Sequence, residues 1–284
     1  MRVTIWGSRG SIASAGPETV RYGGNTACVQ VSDGPGAILL LDAGTGLRRA
    51  GVALAATEGA VHVLLTHLHM DHIQGLGFFR PLFQPGRELH LWGPPSTTLD
   101  LRARLTRYLS PPLFPVRLRD LPSNVELHDV PPDDWQIGQF TVRAATVVHP
   151  GPTVGYRVER NGAALAYLPD HEPALGGLTG SLDGEPAAEP SWTSGYDLAA
   201  GADLLLHDAQ YTPAEYEERI GWGHSSVRHA VAFADLAGVK RVALFHHDPD
   251  HDDEALDRLL SEARSLARRA QVVPGCEDTT LDVG

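Results

Sequence analysis

Residues 66–72 read Thr-His-Leu-His-Met-Asp-His and follow the apolar run Val-His-Val-Leu-Leu at 61–65. Imidazoles and a carboxylate therefore gather where a buried strand ends. Neutral imidazole nitrogens suit Zn²⁺, Mn²⁺ or Fe, and an added carboxylate suits a second hard or borderline cation. In an extended segment side chains alternate, so His67, His69 and Asp71 share one face while His72 turns to another. Such an arrangement could feed two adjacent metals. His149, Asp170 and His246, each following a predicted strand, could complete the site. His67, His69 and His149 then serve one cation, Asp71, His72 and His246 the second, and Asp170 bridges them. Two cations about 3.5–4 Å apart lower the pKa of a shared water toward neutrality and clamp both oxygens of a displacement.

The elements that must position these groups are legible as runs of alternating and continuous apolar residues. Val3–Trp6 reads as a strand, followed by a loop through Ser11. Ala27–Ser32 and Ala37–Asp42 read as a hairpin across Asp33-Gly34-Pro35-Gly36. Gly44-Thr45-Gly46 opens a helix through about Glu58, and Val61–Leu65 is the strand that delivers the histidine motif. Segment 76–122 is rich in proline and aromatics, with a strand at Leu89–Trp92 and a helix over Ser96–Leu109. It is either a packing connection or a lid over the site. Strands are predicted over Gln139–Val148, Thr153–Glu159, Ala163–Leu168, Asp203–Leu206 and Val239–Phe245, and helices over Ser225–Ala237 and Asp253–Arg269. Residues 172–196 read as a surface excursion. β-Hairpins leading into βα units predict sheets with helices packed outside, in one domain spanning 1–284.

Composition narrows the function. With 23 basic and 35 acidic residues the net charge is -12, which repels polyanions and disfavours an extended nucleic-acid surface. The 42 % hydrophobic content is ample for a large core. Cys28 and Cys276 are the only cysteines, too few and too far apart for a disulfide framework, so reduced thiols and a cytoplasmic location are expected. No apolar run is long enough to span a membrane.

The motif His67-Leu68-His69-Met70-Asp71-His72, with His149, Asp170 and His246 following in order, resembles the metallo-β-lactamase-fold hydrolases. The resemblance covers nearly the whole chain and implies a four-layer αββα sandwich of two mixed sheets flanked by helices. Leu39–Gly44 resembles the family's early strand-Asp-x-Gly motif, which makes Asp42 a buried structural carboxylate. Gly223-His224-Ser225-Ser226 and His207-Asp208-Ala209-Gln210 are similar to motifs of tRNase Z and the phosphoribosyl cyclic phosphodiesterases. By that resemblance Asp208 orients His224, which protonates the leaving oxygen or stabilises phosphate charge, and Asp71 orients the nucleophile. The chain departs from tRNase Z in one respect: residues 172–196 contain Asp183, Glu185 and Glu189 but no Lys or Arg, unlike a basic tRNA-binding arm. Trp6–Ser11 and Arg21–Thr26 resemble N-terminal loops that lie beside the metal centre, where Arg9 or Asn25 either touches substrate or shapes a turn.

The resulting expectation is a dinuclear metal-dependent phosphodiesterase that cleaves a small or cyclic phosphodiester with metal-bound hydroxide. Its metals are two divalent ions, Zn²⁺ first, with Mn²⁺ or Fe as alternatives. Competing readings are a thioester or lactone hydrolase and a non-hydrolytic iron protein. A homodimer is open, with Phe78, Phe79 and Trp92 as interface or lid residues. His62 and His90 read as exposed strand positions, and His128, His229 and His251 as solvent residues. His171, His207 and His247 adjoin the proposed site, and His247 competes with His246 as ligand. The charges from Arg258 to Arg269 read as a solvated helix face.

Overall fold

The computed structural model describes residues 1–173 and 190–284. The first sheet contains β1 (Arg2–Gly7), β2 (Cys28–Ser32), β3 (Ile38–Leu41), β4 (Val61–Leu64), β5 (Glu88–Gly93), β6 (Asn124–Asp129) and β14 (Thr280–Asp282). Its order is β14-β1-β2-β3-β4-β5-β6, antiparallel as far as β3 and parallel from β3 to β6. The second contains β7 (Trp135–Ile137), β8 (Phe140–Thr146), β9 (Val154–Arg160), β10 (Ala163–Leu168), β11 (Leu204–Asp208), β12 (Arg241–Phe245) and β13 (Gln271–Pro274). These stand in sequence order across the sheet, antiparallel up to β10 and parallel thereafter. The two sheets share one pattern of antiparallel then parallel strands.

Alternation along each strand sorts side chains into layers. Val3, Ile5, Val29, Val31, Leu39 and Leu41 face Phe140, Val142, Tyr156, Leu165, Leu206 and Phe245 between the sheets. The opposite face of the first sheet carries Leu40, Val61, Val63, Leu89 and Leu91, covered by α1 (Leu47–Leu54), α3 (Leu101–Thr106) and the turns through Leu76, Phe79 and Leu82. Ala164, Ala166, Leu205, Val242 and Leu244 lie under α4 (Tyr196–Ala199), α6 (Val227–Ala237) and α7 (Asp253–Leu266). Each fully buried Leu, Val or Phe contributes roughly 1.5–3 kcal/mol. The expected αββα sandwich is present.

Helix ends follow their caps. α3 begins at Leu101, not Ser96, because the Asp100 side chain accepts from Ala103 N at 2.7 Å. α6 begins at Val227, not Ser225, because Ser226 Oγ accepts from His229 N at 3.2 Å. A side-chain acceptor there satisfies an amide that has no partner within the helix. α1 stops at Leu54, short of Glu58, where Thr57 Oγ1 donates to the Leu54 carbonyl. Strands β6, β7, β13 and β14 lack the apolar runs that mark the others; β6 has no fully buried residue. Much of the 172–196 excursion lies outside the described residues; a 3₁₀ turn at Pro190–Trp192 and α4 close it.

No helix among the described residues is long and apolar enough to cross a membrane. Cys28 is buried, Cys276 half-buried, and both are free. Parallel strands β3, β4, β10, β11 and β12 all end on one rim. Ligands in open α/β sheets collect at such carboxyl ends.

Candidate metal centre

The histidine motif leaves β4 extended only as far as His69, where backbone torsions of φ -66° and ψ 153° open the helical turn α2 (Met70–Ile73). The extended reading therefore fails at Asp71, which the turn brings beside His72 rather than onto the face of His67 and His69. The donor atoms fall into two sets: His67, His69 and His149, then Asp71, His72, Asp170 and His246. All seven predicted ligands are thus brought together.

Distances within the second set test whether a cation fits. Asp71 Oδ2 lies 3.3 Å from His72 Nε2 and 3.2 Å from His246 Nε2. The two imidazole nitrogens are 3.3 Å apart, and Asp170 Oδ2 is 3.0 Å from His72 Nε2. A tetrahedron with such edges has its centre about 2.0 Å from each corner, the length of a zinc–nitrogen or zinc–carboxylate bond. In the first set His69 Nδ1 and His149 Nε2 are 3.3 Å apart. Asp170 Oδ1 lies 3.7 Å from His67 Nε2, 3.8 Å from His149 Nε2 and 3.4 Å from His246 Nε2. Asp170 therefore stands between both sets. Among the described residues His67 Nε2 is buried without a hydrogen-bond partner, and a cation would take its lone pair.

Surrounding groups fix the imidazole tautomers. His72 Nδ1 donates to Asp42 Oδ2 at 2.8 Å, His149 Nδ1 to the Gly223 carbonyl at 2.9 Å, and His246 Nδ1 to Gln210 Oε1 at 3.0 Å. Each leaves Nε2 with its lone pair toward the cluster, the arrangement that metal-binding histidines use. Asp42 is fully buried at φ 60° and also accepts from Thr66 N, Thr66 Oγ1 and Tyr167 Oη. It organises ligands instead of joining them.

Electrostatics match this crowding. Burial alone would raise Asp71 and Asp170, but neighbouring histidines, His72 and His246 among them, hold both well below the ordinary carboxylate range. Burial keeps His67 and His149 neutral. His72 is buried too, yet Asp170, Asp71 and Asp42 draw a proton onto it. A divalent cation would take that proton's place.

Beside the cluster, His224 Nδ1 lies 2.7 Å from Asp208 Oδ2. Burial pulls the His224 pKa down, but Asp208 prevails and pushes it up to about 9. Asp208 Oδ1 also accepts from Ser225 N and Gln210 N. His69 is exposed and His224 part-exposed, so the cluster opens to solvent on their side.

Two devices of the site escaped the sequence reading. Glu172, fully buried, accepts from Tyr216 Oη at 2.8 Å, Gly221 N at 2.8 Å and Gly223 N at 2.7 Å. It pins the loop that carries both the carbonyl partner of His149 and His224 itself. Gly10 is the other: a Cβ there would sit 2.4 Å from the His246 ring. Its neighbour Ser11 donates N–H to Asp71 Oδ2 at 2.8 Å, so the first loop does lie beside the cluster. No local sequence signal marks Glu172; the run of Gly7 and Gly10 was the available hint for the second.

Other residues singled out in the sequence find definite partners, some of them against expectation. Arg9 is fully buried and donates to the carbonyls of Gly23, Asp248 and His251, so it ties loops together and does not reach a substrate. Asn25 is bonded to Glu277 through its backbone and side-chain nitrogens. His246 faces the cluster, whereas His247 Nε2 donates to the Gly275 carbonyl. His171 and His207 pair with each other at 3.0 Å beneath the site. His229 and His251 are buried, not solvated, because α6 and the 248–252 loop press them against Tyr216 and Glu215 of α5 (Pro213–Glu217). His62 and His90 are half-buried, since their rings stack 4.5 Å apart.

Two seven-stranded sheets between helical layers, with a histidine–aspartate cluster on the strand-end rim, define a metallo-β-lactamase-fold hydrolase, a class that implies divalent metal ions. Residues 38–247 match the family described as Beta-lactamase superfamily domain, and the chain belongs to it. A ribonuclease Z of Mycobacterium bovis is 30 % identical over 271 residues, covering 88 % of this chain and 86 % of the relative. Among solved structures, the metallo-β-lactamase fold protein YhfI from Bacillus subtilis superposes with a TM-score of 0.70 at 18 % identity, covering 99 % of both chains. A diphosphatase from the PhnP family does so with 0.67 at 20 % identity, covering 99 % of this chain and 97 % of its own.

Proposed function

We propose that this protein is a phosphodiesterase that holds two divalent cations, Zn²⁺ by the chemistry of its donors, and cleaves a small or cyclic phosphodiester. The observation that carries the reading is the Asp208–His224 pair, placed against a seven-residue ligand set. His67, His69 and His149 would hold one cation, Asp71, His72 and His246 the other, with Asp170 between them. When bound, the cations supply Lewis-acid activation of water and neutralise phosphate charge.

The chain's own residues manage the protons. Asp71, held well below the ordinary carboxylate range, accepts a hydrogen bond from the attacking oxygen and orients it; that oxygen, its proton already released to solvent, forms the new bond to phosphorus. His224, charged at neutral pH and held at Nδ1 by Asp208, gives its Nε2 proton to the departing oxygen as the old P–O bond breaks. A thioester hydrolase, whose thiolate leaves unaided, would have no such demand for His224. The relative named ribonuclease Z supports phosphodiester chemistry. A net charge of -12 and an excursion without Lys or Arg favour a small substrate over tRNA.

The test compares zinc-loaded protein and His224→Ala on two phosphodiesters. A cyclic nucleotide, whose alkoxide leaves poorly, should lose about 10²–10⁴-fold in kcat. Bis(p-nitrophenyl) phosphate, whose phenolate leaves unaided, should lose far less. Equal losses on both substrates would remove His224 as the proton donor. Failure of the metallated wild type on both would sink the phosphodiesterase reading.

A further inference from the structure

A second group of metal-ligating side chains stands on the first sheet, away from the rim. Along β5 and β6 the residues Leu89, Leu91, Val125 and Leu127 turn toward the helices. By strict alternation His90, Trp92, Glu126 and His128 turn to the other face. Parallel pairing sets His90 opposite Glu126 and Trp92 opposite His128, and His62 opposite His90 on the neighbouring β4. The opposing sheet ends at β7, whose Trp135 packs near Trp92, so these polar residues line an open trough. His62 precedes His67 by five positions, roughly 16 Å of strand, which separates the trough from the metal centre.

Three donor atoms converge in it. His90 Nδ1 lies 3.0 Å from His128 Nε2 and 3.6 Å from Glu126 Oε2. His128 Nε2 is 3.8 Å from the same carboxylate oxygen. A point equidistant from atoms so spaced lies about 2.0 Å from each, within the range of zinc–imidazole and zinc–carboxylate bonds. His90 Nε2 meets Glu88 Oε1 at 3.0 Å. That bond puts the His90 proton on Nε2 and leaves Nδ1 as a lone-pair donor, the carboxylate–histidine arrangement that raises ligand basicity. Stacking fixes the rings: His62 on His90 at 4.5 Å, and Trp92 on His128 at 4.2 Å. Glu126 has a side chain 65 % exposed, so solvent reaches the fourth position of a tetrahedron.

We propose that His90, Glu126 and His128 form a separate binding site for one divalent transition-metal ion, Zn²⁺ by its donor set of two imidazoles and a carboxylate. The fourth position is left to water. The alternative use of the same atoms is a His128-to-His90 hydrogen bond with no ion.

The test is equilibrium dialysis of the full-length protein against buffered free Zn²⁺, with bound metal counted by mass spectrometry. Wild type is compared with Glu126→Gln and His128→Gln. Both variants should bind one equivalent fewer at saturation and keep wild-type phosphodiesterase turnover, since neither residue touches the metal centre. Cu²⁺ should quench the fluorescence of Trp92 in wild type and much less in His128→Gln, with Trp92→Phe as the control. Glu126 is exposed, so its variant reports even if His128→Gln folds poorly. Equal zinc stoichiometry in wild type and Glu126→Gln, with no Cu²⁺ quenching specific to Trp92, would overturn the site and leave the hydrogen bond as its use.

Discussion

Glu172→Gln is the most informative substitution that the structure offers. The carboxylate is fully buried; its Oε1 accepts from Tyr216 Oη and Gly221 N, and its Oε2 from Gly223 N. An amide of the same shape keeps only one acceptor atom. In the better orientation its NH₂ faces the Gly223 N–H; in the other it faces two donors. At least one charge-assisted bond is lost and a buried donor is left unpaired, a cost of about 2–4 kcal/mol. For a chain of this size that lowers Tm by roughly 4–8 °C.

The functional consequence is larger than the thermal one. Gly223 takes φ 91°, and a Cβ at that position would lie 2.3 Å from His149 Nδ1, so the loop touches the cluster directly. Its carbonyl fixes His149, and the next residue is His224. A displacement of about 1 Å at such groups costs on the order of 10²-fold in rate. We expect kcat on a cyclic phosphodiester to fall by that factor with KM little changed, while zinc affinity weakens through His149. Thermal unfolding, zinc competition and steady-state kinetics on the same preparation measure all three. Wild-type Tm and kcat in the variant would refute the positioning role.

Other outcomes follow from neighbouring contacts. Asp42→Asn weakens the charge-assisted bond that fixes the His72 tautomer and should reduce zinc affinity about 10–100-fold, read by chelator competition; unchanged affinity would contradict the orienting role. Gly10→Ala drives a methyl group into the His246 ring and should cost about 1–3 kcal/mol, with loss of one zinc equivalent; full zinc occupancy would mean that the loop gives way. A cation bound only by the folded chain stabilises it, so chelation should make the metal-free protein melt below the zinc-loaded form; identical melting would argue against a cation there. Burial, and then Arg228 and His207, lower His229 to about 4, below its ordinary 6.5. The unfolded chain therefore takes up this proton first. The associated stability is present above pH ~6.5 and is lost as pH falls through about 4, on the order of 3 kcal/mol. His229→Gln should flatten that part of the urea-stability profile by one proton, and an unchanged slope would exclude His229 as the source.

The candidate ligand set was legible in the sequence by itself. His67, His69, Asp71 and His72 stand within six positions after an apolar run, and His149, Asp170 and His246 each follow a strand. Such signals survive in one dimension because strands end where their apolar runs end. Sheets with helices outside were legible for the same reason, and the four-layer sandwich through the family resemblance, except at the edge strands β6, β7, β13 and β14, which carry little apolar pattern. Tertiary structure decided how the division of the ligands is reached, since the helical turn at Met70–Ile73, not a continued strand, puts Asp71 beside His72. It also decided what holds them. Asp42 reaches His72 across 30 positions, Glu172 reaches Gly223 across 51, and Gly10 makes room for a ring 236 residues later. His62, His90 and His128 became one trough only because parallel pairing set them side by side. Contacts between distant segments depend on strand register and loop path, and neither is written in the local spacing of residues.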